Sequence, residues 1–220
     1  MKPKRIILIR HGQSEGNLDP DIYAQKPDYA LLLTVLGHRQ AQDAGSRLRG
    51  LVGEGNIRFY VSPLFRTRQT FREIARAFPE SQFRHGEEPR LREQEWGHLR
   101  DRKACDSVDT ARDAYGTFYY RIPDGESAAD VYDRVSDFFG TLFRDFEKDS
   151  FPENAVMVTH GMTIRLFLMR WCHWTVEEFE QLANPGNCGI FILEQRVDGR
   201  YDLVTVPERR PAKHAWRLQN

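Results

Sequence analysis

Short runs of β-branched and leucine residues alternate along the chain with longer amphipathic stretches. The clearest runs are Lys4 to Arg10, Ile57 to Val61 and Ala155 to Thr159. Apolar runs of this length that end at turn residues are typical of buried strands, and their continuity favours a parallel sheet covered on both faces. The first and third runs each end in a His-Gly pair, which places two histidines at the carboxyl ends of predicted strands.

Amphipathic stretches with recognisable start signals predict the helices. Thr34 precedes one that extends to about Leu51, in which the apolar and small residues form a single stripe. Ser62 followed by Pro63 predicts an N-cap with proline at the first helical position, opening a helix that continues to about Phe78. The pattern thus places a helix after each of the first two strands.

The C-terminal half carries further helix signals. Ser127 and Asp130 have the spacing of a capping box at the start of a long amphipathic helix. The stretch from Met162 to Cys172 follows the third strand and predicts another helix. A second capping-box pattern, at Thr175 and Glu178, predicts one more helix start.

Asp198 and Gly199 form the strongest short hairpin signal in the chain. They separate two strand-like runs, Ile190 to Val197 and Tyr201 to Val206. Alternating strands and helices followed by a hairpin predict an α/β fold. We expect a mostly parallel central sheet flanked by helices on both faces, with an antiparallel element at its edge.

The composition suits one globular domain over residues 1–220. Hydrophobic residues make up 40% of the chain, enough for a sizeable core without disulfides. The 32 basic residues balance the 32 acidic ones, so we expect neither nucleic acid nor a membrane surface as a partner. Three widely spaced cysteines suit a reducing cytoplasm, and no stretch is apolar enough to span a bilayer. The oligomeric state is left open.

Polar and charged residues gather directly after the first predicted strand. Arg10-His11-Gly12-Gln13-Ser14-Glu15, with Asn17 two positions on, resembles the signature of the histidine phosphatase superfamily, whose best-known branch contains the cofactor-dependent phosphoglycerate mutases. Further landmarks resembling that family follow in its usual order: Leu33-Thr34 with Gly37 and Gln40-Ala41, Ser62-Pro63-Leu64-Phe65-Arg66-Thr67-Arg68-Gln69-Thr70, Leu91-Arg92-Glu93, and Val158-Thr159-His160-Gly161. Five ordered landmarks are far more specific than a single Arg-His-Gly tripeptide.

The resemblance implies an enzyme that transfers a phosphoryl group through a phosphohistidine on His11. That histidine must present an unprotonated ring nitrogen to phosphorus while a partner, commonly a backbone carbonyl, holds the other nitrogen. A phosphoryl group carries about two negative charges, so we expect Arg10 and Arg66 to bind it, with Asn17 as a neutral donor. A protonated His160 would donate to a non-bridging oxygen and stabilise charge on the transferring group.

A carboxylic acid must protonate the departing alcohol and later take a proton from the attacking water. The resemblance favours Glu93 for this role. Glu93 would have to be protonated at first, which requires a pKa raised by burial or by nearby negative charge. Glu95 is the alternative, because residues two apart in an extended segment point to the same side.

The residues favour a phosphomonoester hydrolase that uses no metal and no cofactor and acts on a small phosphorylated substrate. A phosphoglycerate mutase is the alternative, but it must exclude water and hold the substrate carboxylate with extra cations. Only a short segment separates Glu93 from Gly125-Glu126-Ser127, and the adjacent arginine pair expected of the mutase branch is missing there.

Tyr120 and Arg121 could line the substrate side of the pocket or serve a structural role. A non-catalytic module that binds phosphorylated ligands is a third hypothesis.

The segment between Asn17 and Thr34 departs from the family pattern. It is a few residues longer than usual and contains three aspartates, at positions 19, 21 and 28. The family's contacts from this loop therefore cannot be carried over to this chain. The identity of the substrate is left open, because loops of this kind select the leaving group.

Overall fold

One sheet organises the computed structural model, which describes residues 2–97 and 102–210. Its strands in the described ranges are β1 (Arg5–Arg10), β2 (Ile57–Val61), β3 (Phe83–Glu87), β4 (Asn154–Thr159), β5 (Ile190–Gln195) and β6 (Tyr201–Leu203). They are ordered β3-β2-β4-β1-β5-β6 across the sheet. Strands β1 to β4 run parallel, whereas β5 pairs antiparallel with β1 and β6 pairs antiparallel with β5. The predicted mostly parallel sheet with an antiparallel edge is confirmed.

Helices cover both faces of this sheet. They are α1 (Glu15–Leu18), α2 (Val35–Val52), α3 (Phe65–Ala75), α4 (Arg102–Tyr115), α5 (Ala128–Phe146), α6 (Gly161–Cys172) and α7 (Val176–Glu180). Helices α2 and α3 contribute to one buried cluster, and α5 and α6 contribute to a second. The predicted α/β architecture with two covered faces is therefore also confirmed.

Strand β1 shows why the sheet is buried on both sides. Ile6 and Leu8 belong to the cluster that contains α5 and α6, while Ile7 and Ile9 belong to the cluster that contains α2 and α3. All four side chains are fully buried. Successive side chains of a strand point to opposite faces, so an uninterrupted apolar run is needed when both faces are covered.

The helix starts follow the sequence signals, with one exception. Ser127 and Thr175 form the capping boxes expected of them. Ser62 is not an N-cap, because α3 starts at Phe65 and its N-cap residue is Leu64, without a side-chain cap. The helix also ends at Ala75, three residues earlier than expected. The Ser62 carbonyl instead accepts a hydrogen bond from Thr67 Oγ1 at 2.8 Å. The Ser62 hydroxyl contacts His160, which follows β4.

Strand β3 and helix α4 have no counterpart in the elements predicted from the sequence. Strand β3 reads Phe-Arg-His-Gly-Glu and pairs on one side only, with β2. An edge strand can carry polar and charged residues because much of it faces water. It therefore lacks the apolar run that identifies the central strands.

The sheet order brings three strand ends together. Arg10 of β1 pairs with Thr159 of β4, and Val61 of β2 pairs with Val158 of β4. Because these strands are parallel, His11, Ser62 and His160 follow them at the same edge of the sheet. Ligands of open α/β sheets bind beyond this carboxyl edge.

Candidate active site

His11 lies at the carboxyl end of β1 with only 3% of its surface exposed. Its Nδ1 lies 2.7 Å from the carbonyl oxygen of Gly12. A carbonyl oxygen only accepts hydrogen bonds, so Nδ1 carries the proton and Nε2 keeps its lone pair. Burial lowers the pKa of His11 well below its ordinary value, and the guanidiniums of Arg66 and Arg10 lower it further. The unprotonated ring is therefore favoured at neutral pH, which leaves the Nε2 lone pair available for nucleophilic attack.

The turn after His11 is fixed by close backbone packing against the start of α2. A Cβ atom at Gly12 would lie 2.4 Å from the carbonyl oxygen of Gly37, and one at Gly37 would lie 2.0 Å from that of Gln13. Both distances are too short for any side chain. This contact explains why Gly12 and Gly37 belong to the same set of sequence landmarks.

Two arginines lie beside the His11 ring. The Arg66 side chain is 3% exposed, and its Nη1 donates to the carbonyl oxygen of Asp28 at 2.8 Å. The same guanidinium pairs with the Asp28 carboxylate, with Nη1 to Oδ1 at 3.0 Å and Nη2 to Oδ2 at 3.1 Å. Arg10 Nη1 donates to the carbonyl oxygen of Pro185 at 2.5 Å, whereas its buried Nε has no hydrogen-bond partner in the described residues. Both guanidiniums can supply charge to an anion at His11.

Asn17 is oriented by contacts to its oxygen. Its Oδ1 accepts from the backbone nitrogen of Ser14 and from Nδ2 of Asn187, each at 3.1 Å. Asn187 also donates to the carbonyl oxygen of His11 at 3.2 Å. The Asn17 amide group is thus turned so that its nitrogen can donate to a ligand. Asn187 gave no signal in the sequence, because it lies 176 residues from His11.

Glu93 lines the same cavity as His11. Its Oε1 accepts from the backbone nitrogen of Gln94 at 3.1 Å. Burial raises the pKa of Glu93 above its ordinary value, although Arg66 and Arg10 act in the opposite direction. Glu95 is exposed, and it lines a neighbouring cavity but not the one that contains His11. The geometry therefore favours Glu93 over Glu95 as the acid.

The backbone that carries Glu93 is held by an arginine that the sequence did not identify. Arg134 of α5 donates to the carbonyl oxygen of Glu93 at 3.0 Å and to those of Arg92 and Arg90 at 2.9 and 2.6 Å. Its guanidinium also pairs with Glu126 at 3.0 Å. One side chain thereby binds three carbonyl oxygens of this segment.

His160 lies at the end of β4 and is fully buried. Its ring centroid is 5.2 Å from that of His11, in an edge-to-face arrangement. Its Nε2 lies 2.7 Å from Ser62 Oγ, and its Nδ1 has no partner in the described residues. Burial lowers the pKa of His160 well below its ordinary value, and Arg66 and His11 lower it further. The uncharged ring is favoured here, in contrast to the protonated His160 considered from the sequence.

A cavity of about 310 Å³ opens beside these groups. Its lining includes the predicted nucleophile, the three predicted phosphate-binding residues, the predicted acid and one residue of α4: His11, Arg10, Asn17, Arg66, Glu93, Asp106. Tyr23 and Trp96 form further parts of its wall and also line a neighbouring cavity of about 650 Å³. Burial raises the pKa of the Tyr23 hydroxyl to about 12, so it remains a hydrogen-bond donor. Among the described residues, His160 is not part of this lining, although its ring is 5.2 Å from that of His11.

Tyr120 and Arg121 are not among the lining residues of either cavity. Arg121 Nη2 contacts the Asp130 carboxylate at 2.7 Å, and Nη1 donates to the carbonyl oxygen of Gly125 at 3.1 Å. The Tyr120 ring packs against Tyr115 with centroids 6.2 Å apart. These contacts favour a structural role for Tyr120 and Arg121 over a role in the pocket.

Over residues 2–97 and 102–210, no helix has both the length and the hydropathy to cross a bilayer. Across those same ranges, no three His, Cys, Asp or Glu side chains come together as a metal site would require.

Comparisons with known proteins find relatives that align over most of the chain. The model of the histidine phosphatase superfamily (branch 1) matches residues 6–206. Phosphoglycerate mutase-like protein AT74 of Arabidopsis thaliana is 46% identical over 92% of this chain and 68% of its own length. Broad-range acid phosphatase DET1 of Saccharomyces cerevisiae is 29% identical over 93% of this chain and 90% of its own length.

Solved structures show the same fold. Mycobacterial glucosyl-3-phosphoglycerate phosphatase in complex with VO3 superposes with a TM-score of 0.73 at 23% identity, covering 93% of this chain and 99% of that one. The family model spans nearly the whole chain, and the relatives align over most of it. The chain belongs to the histidine phosphatase superfamily, branch 1.

Proposed function

We propose that this chain is a phosphomonoester hydrolase that works through a phosphohistidine on His11. The observation that carries the proposal is the bond from His11 Nδ1 to the Gly12 carbonyl, which leaves the Nε2 lone pair beside Arg10 and Arg66. A nucleophile can approach a phosphoryl group only where bound cations or donors neutralise the negative charge of the phosphoryl oxygens. The cavity that opens here is also lined by Glu93, a carboxyl group with a raised pKa.

In the first step, His11 Nε2 attacks phosphorus and the bond from phosphorus to the ester oxygen breaks. Glu93 gives its proton to the departing oxygen, so an alcohol leaves rather than an alkoxide. In the second step, Glu93 takes a proton from water, and the water oxygen displaces His11 from phosphorus. Arg10, Arg66 and the Asn17 amide hold the non-bridging oxygens throughout. The cycle ends with inorganic phosphate and a protonated Glu93, and it involves neither a metal nor a cofactor.

The position of Arg121, which lines neither cavity, and the charge of the cavity wall favour hydrolysis over phosphoglycerate mutase activity. A mutase has to bind the substrate carboxylate with positive charge beyond the phosphate site. Arg121 is paired with Asp130, and Asp106 adds negative charge to the cavity wall. One relative named as a broad-range acid phosphatase aligns over 93% of the chain, which is consistent with hydrolysis of small phosphorylated substrates.

The covalent step is tested by rapid quenching with a labelled phosphomonoester. Wild-type protein should yield an acid-labile, base-stable phosphoenzyme, and His11→Ala should yield none and lose about a thousandfold or more of kcat. His85→Ala is the matched control, because His85 is exposed on β3 and does not line the cavity. Near-wild-type turnover by His11→Ala would overturn the proposal.

The mutase alternative is tested with 3-phosphoglycerate, with and without 2,3-bisphosphoglycerate. Inorganic phosphate and 2-phosphoglycerate are followed together in the same reaction. Fast isomerisation with negligible phosphate release would establish a mutase instead. Absence of any turnover of p-nitrophenyl phosphate and of a wider set of phosphomonoesters would favour the non-catalytic binding module.

A further inference from the structure

Ser62 and His160 form a buried pair beside the candidate nucleophile, with the His160 ring centroid 5.2 Å from that of His11. Ser62 follows β2 and His160 follows β4, and both side chains are fully buried. The Ser62 backbone nitrogen donates to the carbonyl oxygen of Val158 at 3.0 Å, which continues the pairing of the two strands. Ser62 Oγ lies 2.7 Å from His160 Nε2, a short distance for a bond between a hydroxyl and a ring nitrogen.

The direction of this hydrogen bond follows from counting the available partners. In the part of the chain that the structure describes, His160 is the one hydrogen-bond partner of the Ser62 hydroxyl. If Nε2 carried the proton and donated to Ser62, the hydroxyl hydrogen would be left without an acceptor. If the hydroxyl donates to Nε2, the hydroxyl and Nε2 are both satisfied and, within the described residues, Nδ1–H alone lacks a partner. Buried polar groups that lack partners are costly, so the second arrangement is favoured.

A neutral imidazole whose Nε2 accepts a hydrogen bond must carry its single proton on Nδ1. That nitrogen is buried and has no partner in the described residues. The cationic groups around the ring, Arg66, Arg134 and Arg10, oppose a second proton. His160 is therefore held with one N–H donor that no group of the described residues accepts, in a ring 5.2 Å from that of His11.

We infer that Ser62 is a positioning residue that fixes His160 as its Nδ1–H tautomer, so that this N–H donates to a non-bridging oxygen of the phosphoryl group transferred at His11. The inference rests on the proposed function and assigns to Ser62 a role that its hydroxyl performs only through His160. A neutral donor stabilises the transferring group without giving up its proton. It also remains a donor over the whole pH range in which His11 is unprotonated.

The tautomer is read directly by nuclear magnetic resonance of ligand-free protein labelled with ¹⁵N in histidine. Long-range correlations between the ring protons and nitrogens distinguish the two neutral tautomers from each other and from imidazolium. The His160 signals are identified by their loss in His160→Gln. We expect the Nδ1–H pattern in wild type and a shift towards Nε2–H in Ser62→Ala. An Nε2–H or imidazolium pattern in wild type at neutral pH, or an unchanged pattern in Ser62→Ala, would overturn the inference.

The functional consequence is measured by a double-mutant cycle with p-nitrophenyl phosphate. Ser62→Ala should lower kcat by about tenfold to a hundredfold in the wild-type background. In the His160→Ala background the same change should cost less than about twofold, because Ser62 acts only through that ring. An equal loss in both backgrounds would assign Ser62 a purely structural role and overturn the inference.

Three measurements keep the outcome interpretable. Ser62→Cys retains a hydrogen donor and should keep more activity than Ser62→Ala. Ser136→Ala removes a partly buried serine hydroxyl of α5, which bonds the Tyr132 carbonyl oxygen at 2.8 Å, and should leave kcat unchanged. Phosphoenzyme trapping in the wild type separates the two proposals. Without a phosphoenzyme the proposed function fails, whereas a phosphoenzyme with equal losses in both backgrounds removes only the assignment of Ser62.

Discussion

Asp28 holds Arg66 through both carboxylate oxygens, at 3.0 and 3.1 Å from the two terminal guanidinium nitrogens. Asp28 comes from the segment that is longer than the family pattern, and it also lines the cavity. Carboxylate and phosphate oxygens use the same guanidinium donors. Asp28 therefore competes for the charge that we assign to the substrate phosphate.

Replacing Asp28 with asparagine should tighten phosphate binding, because the competing negative charge is removed while the side chain keeps its shape. We expect the inhibition constant of inorganic phosphate to fall by about threefold to tenfold. Asp21→Asn is the matched control, since Asp21 is exposed in the same segment and does not line the cavity. Weaker phosphate binding in Asp28→Asn would show that Asp28 orients Arg66 rather than competing for it.

The pH dependence of kcat/KM should place the optimum on the acid side of neutrality. The first step needs His11 unprotonated and Glu93 protonated, and burial lowers the pKa of His11 while it raises that of Glu93. Activity should fall as pH rises through the raised pKa of Glu93. On the acid side of the optimum, activity should fall only at pH values below 6.5, the ordinary pKa of histidine, because the pKa of His11 is lowered.

This profile is best measured as the ratio of wild type to Glu93→Gln for one alkyl phosphate. The second ionisation of the substrate, with a pKa of about 6, affects both enzymes equally and cancels in the ratio. The ratio should decrease with rising pH. The range from about pH 4 to about pH 8 spans the ordinary pKa values of glutamate and histidine. A ratio that stays constant over this range would remove Glu93 from the proton transfer.

The leaving group separates Glu93 from Glu95. An acid that protonates the departing oxygen matters most when that oxygen is basic, so Glu93→Gln should slow an alkyl phosphate far more than p-nitrophenyl phosphate. Glu95→Gln should slow neither, because Glu95 is exposed and does not line the His11 cavity. Kinetics of both substrates with both variants check this, and the opposite pattern would move the role to Glu95.

Two glycines of α2 should respond in opposite directions to alanine. A Cβ atom at Gly37 would lie 2.0 Å from the carbonyl oxygen of Gln13, whereas one at Gly50 would have nothing within 4 Å. Gly37→Ala should lower the free energy of unfolding by about 1–3 kcal/mol and reduce kcat, because it displaces the turn after His11. Gly50→Ala should raise the free energy of unfolding by about 0.5–1 kcal/mol. Denaturant unfolding of both variants tests the contact, and equal effects would contradict it.

Local patterns in the sequence identify most of the central fold. The capping boxes at Ser127 and Thr175 and the apolar runs of β1, β2 and β4 reflect interactions within a few residues or burial on both faces, so they can be read directly. Ser62 shows the limit of this reading. The Ser-Pro pair has the form of a helix start, but the serine hydroxyl lies against His160, which is 98 residues away.

The candidate site likewise contains residues that local sequence patterns identify and contacts that they do not. His11 and His160 stand out because each follows an apolar strand and precedes glycine. The contacts of Arg134 to the Glu93 segment and of Asp28 to Arg66 join residues about forty positions apart, and no local spacing encodes them. These contacts depend on the tertiary packing of α5 and of the long loop after α1.

The position of β1 has a consequence for synthesis of the protein. This strand precedes the other described strands in the chain, yet it lies between β4 and β5, whose residues follow position 150. During translation its apolar run has no sheet partner in place until those strands have emerged from the ribosome. A nascent chain that stops before Asn154 therefore contains His11 but neither the neighbouring strands nor His160. Under the proposed function, products that stop before Asn154 would therefore be inactive.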